Sequence, residues 1–281
     1  MSEMENLIEK YFRPGRLPHI WCPGCGNGVI TGAIVKAIDK QGLAKDDVAL
    51  ISGIGCSSRS SGYLDFNTAN TLHGRALTIA TGVKMANPAL NVIVCSGDGD
   101  CTAIGGNHLI HACRRNINMT LVVYNNSIYG MTGGQYSPMT PTGSKATTAP
   151  YSTIEPSFNL LELAKAAGAT FVARATTYHV PVLVDCIAKG IAHNGFSIIE
   201  AVSACPISFG RQNKMGGPAE MMAWQRDHGV MVAAWNKMDE AKLAEAKAAG
   251  KFPIGVLYET NDVPEYTAQY DEIIKRAQGG K

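Results

Sequence analysis

Short apolar stretches alternate with longer amphipathic stretches between residues 28 and 203. The apolar stretches are rich in β-branched residues, which is typical of strands buried on both faces of a parallel sheet. They predict strands at 48–55, 91–97, 119–126, 170–176 and 196–203. The amphipathic stretches end near Gly, Pro or Asn, as helices commonly do. They predict helices at 28–43, 75–88, 103–116, 157–169 and 180–195.

This alternation predicts an α/β fold, a doubly wound parallel sheet with right-handed crossover connections. Ligands of such sheets bind outside the carboxyl ends of the strands, so polar residues at those ends are candidates for a functional site. One connection, 127–156, is rich in Gly, Ser, Thr and Pro. It is too long for an ordinary connection, and we interpret it as a functional loop or lid.

The alternating pattern weakens beyond Pro206, where a helix at 219–235 and a lone strand at 252–259 are predicted. We expect residues 1–205 to form the ligand-binding domain and residues 206–281 to form a C-terminal extension that binds a partner. The chain has 281 residues, of which 46% are hydrophobic, so it is long enough to bury the core of one large α/β domain with such an extension.

Charge and targeting signals narrow the class of protein. Lys and Arg total 25 against 23 Asp and Glu, and the basic residues are scattered, so we expect neither a nucleic acid nor an anionic membrane as partner. The first residues, MSEMENLIEK, are acidic where a secretory signal is basic, and no apolar run of about 18 residues occurs. These features predict a cytoplasmic protein.

The stretch SGDGDCTAIGG, residues 96–106, resembles a glycine-rich turn between a strand and a helix, which usually binds phosphate. Asp98 alone would repel a pyrophosphate by about 4 kcal/mol per charge pair at about 4 Å and an effective dielectric constant of about 20. A divalent cation between the two groups reverses the sign of that interaction. Asp98 is therefore a candidate metal ligand, and the alternative is a simple helix N-cap.

Asn126 is a candidate for the same metal ion. It ends the next predicted strand, and neighbouring parallel strands lie about 4.8 Å apart, so residues just past their carboxyl ends can share one ion. Asn125 and Asn126 could also form only a turn, and we expect that role for Asn125.

A reducing compartment disfavours disulfides among the eight cysteines, which leaves metal ligation or burial. Cys22 and Cys25 form a C-x2-C pair, and Cys56 and Cys205 each follow a predicted strand. Four thiolates of this kind suit an iron–sulfur cluster or tetrahedral zinc. We expect Cys95 and Cys186 to be buried packing residues, and Cys101 and Cys113 have no assigned role.

The ordered motifs resemble those of one family. The stretch GDGDCTAIGGNHLIHACRRNINMTLVVYNN is similar to the GDG…NN motif of thiamine-diphosphate enzymes. The further motifs WCPGCGNG, GIGCSSR, LHGRA, YNNSIYGMTGGQ and ACP follow the order found in the β subunit of 2-oxoacid:ferredoxin oxidoreductases, most closely the 2-oxoglutarate type. The resemblance covers residues 15–260. It implies the thiamine-diphosphate-binding fold, with the diphosphate bound by this chain.

The resemblance also implies residue roles. Magnesium would be held by Asp98, Asn126 and the backbone carbonyl of Ile128, and one [4Fe–4S] cluster by Cys22, Cys25, Cys56 and Cys205. The other cofactor contacts would be Ile54, Gly55, Cys56, Ser57, His73, Gly99, Asp100, Gly130 and Met131. His73 is also a candidate catalytic residue, although a single histidine is equally consistent with a surface or interdomain position. Met131 stands where pyruvate-specific relatives tend to have Asn, which disfavours pyruvate.

Arg59 is the candidate for substrate specificity. It lies three residues beyond Cys56, where resembling enzymes of broad or dicarboxylate specificity carry a basic residue. A guanidinium binds a carboxylate bidentately, so Arg59 would bind the distal carboxylate of 2-oxoglutarate. The alternative is that Arg59 contacts the α subunit or solvent.

The activity implied by the resemblance converts 2-oxoglutarate, coenzyme A and oxidised ferredoxin into succinyl-CoA, carbon dioxide and reduced ferredoxin. The cofactor supplies the chemistry, and the protein supplies position and electrostatics. The domain that receives the aminopyrimidine ring lies on an α subunit in this family, so an αβ heterodimer or its dimer is expected. The alternatives are a pyruvate or broad-specificity enzyme, a thiamine-diphosphate decarboxylase or synthase half without electron transfer, and a nonenzymatic metal-binding scaffold.

Overall fold

A computed structural model describes residues 3–279 of the chain. The strands are β1 (Val48–Ser52), β2 (Asn67–Asn70), β3 (Asn91–Gly97), β4 (Met119–Asn125), β5 (Phe171–Thr176), β6 (Phe196–Val202), β7 (Gly229–Met231) and β8 (Phe252–Glu259). The helices are α1 (Glu3–Tyr11), α2 (Asn27–Lys40), α3 (Ser60–Tyr63), α4 (Ala76–Ala86), α5 (Gly106–Arg115), α6 (Leu160–Ala166), α7 (Val180–Ala192), α8 (Pro218–His228), α9 (Val232–Trp235), α10 (Glu240–Ala248) and α11 (Tyr266–Ala277).

The strands form one eight-stranded sheet in the order β2-β1-β3-β4-β6-β5-β8-β7. All neighbouring pairs are parallel except β5 and β8, which are antiparallel. The predicted α/β fold with a doubly wound, mostly parallel sheet is confirmed. The five strands predicted in the first part of the chain are β1, β3, β4, β5 and β6.

Helices cover both faces of the sheet, and each face has its own apolar core. Side chains of α2 and α7, such as Ile34 and Ile187, pack on one face together with Ile93 of β3. Helices α4, α5 and α6 pack on the other face together with Val92 and Val94 of the same strand. The two cores alternate along β3 because successive side chains of a strand point to opposite faces. This double burial explains why the strand sequences are almost continuously apolar.

Two predictions for the last part of the chain are wrong in detail. The strand at 252–259 is not alone, because β8 pairs with β5 on one side and with β7 on the other. The helix predicted at 219–235 is divided into α8 and α9, because residues 229–231 leave the helix to pair with β8. Strand pairing between distant segments leaves no periodic signal in either segment alone, so the pattern missed both features.

The helix predicted at 103–116 begins differently from expectation. A π-helical turn, Asp100–Ile104, follows β3, and the α-helix α5 starts only at Gly106. A Cβ atom on residue 105 would lie 2.5 Å from the Asp100 carbonyl oxygen. The backbone of the turn therefore approaches this position so closely that only glycine fits there. The short or polar elements α1, β2, α3, α10 and α11 were not predicted.

The long connection after β4 contains no helix or strand before α6, as the composition of 127–156 predicts. It is nevertheless ordered by backbone hydrogen bonds. Tyr129 N–H donates to the Gln135 carbonyl at 2.9 Å, and Thr147 N–H donates to the Gly134 carbonyl at 2.8 Å. Within residues 3–279, no helix combines the length and the hydropathy needed to cross a membrane.

Candidate active site

The carboxyl ends of β1, β3 and β4 open onto a cleft of about 510 Å³. The segment after β1 supplies residues 54–57, the turn after β3 supplies residues 97–100, and the turn after β4 supplies residues from Asn126 to Thr132. All the cofactor and magnesium contacts implied by the resemblance line this cleft, together with His73. The topology therefore brings together residues that are more than 70 positions apart in the chain.

Asp98 and Asp100 are both buried carboxylates that line the cleft, and each residue is 2% exposed. Burial raises the pKa of Asp98 to about 7, while hydrogen bonds from Ser137 and from the backbone N–H groups of Gly99 and Asn126 oppose the rise. Desolvation dominates, so an ionised Asp98 is costly without a cation beside it. The N-cap of the π-helical turn Asp100–Ile104 is Gly99, so Asp98 is not the N-cap of that turn.

The two asparagines at the carboxyl end of β4, Asn125 within the strand and Asn126 just after it, have different environments. Asn125 is held by the sheet, because its side-chain amide donates to Glu200 at 2.7 Å and its side-chain oxygen accepts the Ser127 N–H at 3.1 Å. Asn126 faces the cleft, and its side-chain oxygen accepts the Ile128 N–H at 3.3 Å. Ser127, which lies between Asn126 and Ile128 in the chain, has a φ of 62°, in the left-handed region. This tight turn brings Asn126 and Ile128 to the same side as Asp98.

Asp100 lies on the opposite side of the same turn and does not share the environment of Asp98. Its carboxylate accepts hydrogen bonds from Ser96 at 2.6 Å and from the Gly74 N–H at 2.7 Å. His73 Nδ1 lies 2.5 Å from Asp100 Oδ1. This contact is close but bent, since Nδ1 has no partner of good hydrogen-bond geometry among the described residues. The histidine ring is one-third exposed and lines the cleft.

Two glycines are required by this packing. A Cβ on Gly53 would lie 1.7 Å from Asp100 Oδ2, and a Cβ on Gly99 would lie 2.2 Å from the ring of Tyr129. Tyr129 covers Gly99 and donates its hydroxyl to the Gly99 carbonyl at 2.8 Å. The glycines of the GIG and GDGD motifs therefore allow side chains of other segments to approach the backbone closely.

Besides His73 Nδ1, two further buried polar atoms at the cleft have no hydrogen-bond partner within the described part of the chain: Ser57 Oγ and Asn27 Nδ2. Asn27 is fully buried, and Ser57 is 3% exposed. An unpaired buried polar group is costly, which indicates that a polar ligand completes both groups. Sequence reasoning placed Ser57 here but missed Asn27, whose position at the start of α2 carries no periodic signal.

The four cysteines Cys22, Cys25, Cys56 and Cys205 line a second cavity of about 750 Å³. A Cβ on Gly130 would lie 3.5 Å from Cys205 Sγ and 3.7 Å from Cys56 Sγ, so both sulfurs face that glycine. Burial, and in smaller part the neighbouring thiols, raise the pKa of Cys25 to about 12 and the pKa of Cys56 to about 11. Backbone N–H groups of Asn27 and Met131 bond these two sulfurs and oppose the rise.

Zinc and an iron–sulfur cluster both stay candidates for this cavity. Zinc binds four thiolates at about 2.3 Å each. An iron–sulfur cluster is likewise held by four cysteine thiolates. Across residues 3–279, no group of three or more His, Cys, Asp or Glu side chains is placed to hold a single metal ion.

Arg59 lies at the rim of the cleft in the short 3₁₀ turn Ser57–Arg59. Its guanidinium is exposed and lies 3.7 Å from the Met131 sulfur. The two residues that resemblance connects with substrate specificity therefore lie side by side. The remaining cysteines, Cys95, Cys101, Cys113 and Cys186, are buried in the core.

Ser137 and Glu200 are residues near the site that sequence reasoning missed. Ser137, from the long connection, donates its hydroxyl to Asp98 Oδ2. Glu200, in β6, accepts from Asn125 and from Arg174 at 2.8 Å. Both contacts join segments that are distant in the chain, and neither residue belongs to a recognisable motif.

Comparison with known proteins agrees with this geometry. Residues 53–201 match the family model described as "Thiamine pyrophosphate enzyme, C-terminal TPP binding domain". The chain is 50% identical over 255 residues to the 2-oxoglutarate synthase subunit KorB of Methanothermobacter marburgensis, covering 91% of this chain and 88% of the relative. It is 47% identical over 267 residues to the KorB subunit of Methanocaldococcus jannaschii, and this match covers 95% of this chain and 97% of the relative.

One solved structure is also similar over nearly the whole chain. It is described as "2-oxoglutarate:ferredoxin oxidoreductase from Magnetococcus marinus with 2-oxoglutarate, coenzyme A and succinyl-CoA bound". The TM-score is 0.85 at 36% sequence identity, and the match covers 98% of this chain and 91% of that chain.

The fold, the cleft and the matching family model together define a thiamine pyrophosphate-binding domain of an oxidoreductase. The extent and level of identity narrow this class further. The chain belongs to the family of 2-oxoglutarate synthase subunits KorB, which are β subunits of 2-oxoacid:ferredoxin oxidoreductases.

Proposed function

We propose that the chain binds thiamine diphosphate, magnesium and one [4Fe–4S] cluster, and that with an α subunit it oxidises 2-oxoglutarate to succinyl-CoA and carbon dioxide. Coenzyme A accepts the acyl group, and ferredoxin accepts the electrons. The observation that carries this proposal is that the cleft and the cysteine cavity adjoin. Cys56, Asn126, Gly130 and Met131 line both of them. An electron donor in the cleft would thus lie next to an electron acceptor in the cavity.

The residues of the cleft fit magnesium and a diphosphate. Asp98 and Asn126 offer a carboxylate and an amide oxygen, and Ile128 offers a backbone carbonyl, which are the ligands that magnesium prefers. Burial raises the pKa of Asp98 to about 7, so a cation beside it would stabilise its ionised form. The unpaired Ser57 hydroxyl and Asn27 amide supply donors for phosphate oxygens.

The residues of the cavity fit an iron–sulfur cluster. Cys25 and Cys56 have pKa values near 12 and 11 because burial disfavours their thiolates. Iron restores the thiolate form, and the N–H groups of Asn27 and Met131 already point to the two sulfurs. Trp21 closes the cavity and donates its indole N–H to the Cys56 carbonyl at 2.7 Å.

Thiamine diphosphate, when bound, supplies the carbon nucleophile that attacks the keto carbon of the substrate. Side chains of this chain then orient the reactants. Arg59 would bind the distal carboxylate of 2-oxoglutarate beside Met131. His73, held by Asp100, would exchange a proton with a reactant in the cleft. The four cysteines would hold the cluster that carries electrons one at a time to ferredoxin.

The exposed rim of the cleft supports a partner subunit. Leu72 next to His73 is 75% exposed, and Ile104 on the π-helical turn is 52% exposed. Ile54 and Met131 add apolar surface at the cleft itself. Exposed apolar residues grouped in this way are typical of an interface. An α subunit bound there would receive the aminopyrimidine ring and exclude water from the cleft.

Substitution of Asp98 tests the proposal in the complex of this chain with its α subunit. Asp98→Ala removes the anionic magnesium ligand, so we expect thiamine diphosphate binding measured by calorimetry to be abolished. Asp100→Ala, which removes a carboxylate already bonded to Ser96, Gly74 and His73, should weaken binding less. The control is Asp46→Ala at an exposed position. Near-normal affinity of the Asp98→Ala complex would contradict the proposed metal site.

A further inference from the structure

Residues Ser137 to Thr140 form a turn in the long connection after β4, which we call the Ser137–Thr140 turn. This turn contacts the segments that carry the proposed metal ligands. The Thr140 N–H donates to the Ser137 carbonyl at 3.0 Å, and the Ser137 N–H donates to Thr140 Oγ1 at 2.8 Å. Ser137 and Thr140 are 2% and 3% exposed. The turn is thus a closed, buried unit rather than a mobile surface loop.

The hydroxyl of Ser137 is directed to Asp98 rather than to the more distant Thr140 Oγ1 at 3.5 Å. Ser137 Oγ accepts the Met139 N–H at 3.2 Å and donates to Asp98 Oδ2. An Asp98 carboxylate that is ionised beside a bound magnesium ion could only accept, which would fix the direction of this bond. The bond occupies one oxygen of Asp98 on the side of the turn and leaves the other oxygen for the cleft.

The hydroxyl proton of Thr140 goes to the other half of the site. Thr140 Oγ1 accepts from the Ser137 N–H, so its own proton is free to bond the Ser127 carbonyl at 2.6 Å. The N–H of the same peptide group, which belongs to Ile128, donates to the Asn126 side chain. Ser127 lies in the left-handed region, which a residue with a side chain rarely adopts without support. Thr140 therefore stabilises the strained peptide that leads to Ile128.

We propose that the Ser137–Thr140 turn is the outer shell of the magnesium site: Ser137 orients the Asp98 carboxylate, and Thr140 holds the Ser127–Ile128 peptide. Both are positioning residues, because neither touches the metal ion. This inference rests on the proposed magnesium and thiamine diphosphate site. Outer-shell partners of metal ligands typically change metal affinity by about 10- to 100-fold when they are removed.

The test measures the magnesium concentration that gives half-maximal thiamine diphosphate binding to the complex with the α subunit, by calorimetry. Ser137→Ala should raise this concentration by about 10- to 100-fold. Ser137→Cys keeps the volume but is a weak donor, so it should behave like Ser137→Ala. Thr140→Val keeps the shape of threonine without the hydroxyl, and it should also raise the magnesium concentration needed for half-maximal binding. Matched controls on the same connection are Ser144→Ala and Thr142→Val.

A second readout separates positioning from folding. The unfolding temperature of the complex without magnesium and cofactor should be nearly the same for Ser137→Cys and the natural protein, while the increase caused by adding both should be smaller in the variant. If Ser137→Ala fails to fold, Ser137→Cys decides the question. A magnesium requirement of Ser137→Cys within twofold of normal, with binding lost in Asp98→Ala, would overturn the inference and leave the metal site in place. Normal binding in Asp98→Ala would instead overturn the metal site itself.

Discussion

Two buried carboxylates that lie two residues apart in this chain have opposite surroundings. Asp100 accepts hydrogen bonds from Ser96 and Gly74 and contacts His73, so protein groups satisfy it. Among residues 3–279, Asp98 has one side-chain donor, Ser137, and burial raises the pKa of Asp98 to about 7. The sequence DGD cannot distinguish the two residues. The difference arises because the backbone turns between them and directs one carboxylate to the cleft and the other to the LHG segment.

Arg59 is the residue whose substitution should change substrate preference. Hydrogen bonds to charged groups contribute about 1.5–3 kcal/mol, so Arg59→Leu should lower kcat/KM for 2-oxoglutarate by about tenfold to a hundredfold or more. Activity toward 2-oxobutyrate, which lacks the distal carboxylate, should hold or rise.

The matched control for this prediction is Arg115→Leu, since Arg115 is an exposed arginine in the last turn of α5. Steady-state kinetics of the complex with both substrates provide the measurement. An equal decrease in kcat/KM for 2-oxoglutarate and for 2-oxobutyrate would show that Arg59 does not contact the distal carboxylate.

At the scale of elements, a buried ionic network joins the carboxyl end of β4 to the middle of the sheet. Glu200 of β6 accepts from Asn125, the last residue of β4, at 2.7 Å and from Arg174 of β5 at 2.8 Å. Arg174 also lies over the ring of Phe252 in β8, at 5.5 Å from the centroid. The C-terminal strand is thereby connected through three neighbouring strands to the turn that carries Asn126.

Removing one member of this network should be more costly than removing two. Glu200→Ala leaves Arg174, whose side chain is only 16% exposed, without its anion. We therefore expect a loss in the free energy of unfolding of about 2–3 kcal/mol, below the value of about 3–5 kcal/mol for a fully buried pair. Replacing both partners, Glu200→Leu with Arg174→Met, leaves no unpaired charge and should cost less. Urea unfolding of the two variants provides the comparison. A double variant less stable than Glu200→Ala would contradict the expected desolvation of Arg174.

How far the sequence predicts each element follows from the range of the interactions involved. The bounds of strands β3, β5 and β6 are predicted to within one residue, because a strand that is buried on both faces has a continuous run of apolar residues. The pairing of β8 with β5, the division of the helix at 229–231 and the π-helical turn depend on contacts between distant segments. The same distinction holds at the site. Asp98 and the four cysteines belong to spaced motifs, whereas Asn27, Ser137 and Glu200 are recognised only from their contacts.

At the scale of the whole molecule, the cleft and the cysteine cavity lie at one end of the strand order, around β1, β3 and β4. The strands contributed by residues 206–281 lie at the opposite edge, where β8 and β7 extend the sheet. The prediction that these residues form a partner-binding extension stays a prediction. Leu72 and Ile104 are exposed next to His73 and at the end of the π-helical turn, and we propose that the α subunit binds on this side to complete the site.

The central claim is that one chain carries both the cofactor cleft and the electron acceptor. Anaerobic purification of the complex with the α subunit, with iron and acid-labile sulfide measured for the natural protein and for Cys56→Ser, tests it most directly. We expect the natural chain to contribute about four iron and four sulfide, as a four-cysteine cubane requires, and Cys56→Ser to lose them. Cys113→Ser, in the core, is the control. Stoichiometric zinc without sulfide, or iron unchanged by Cys56→Ser, would contradict the account.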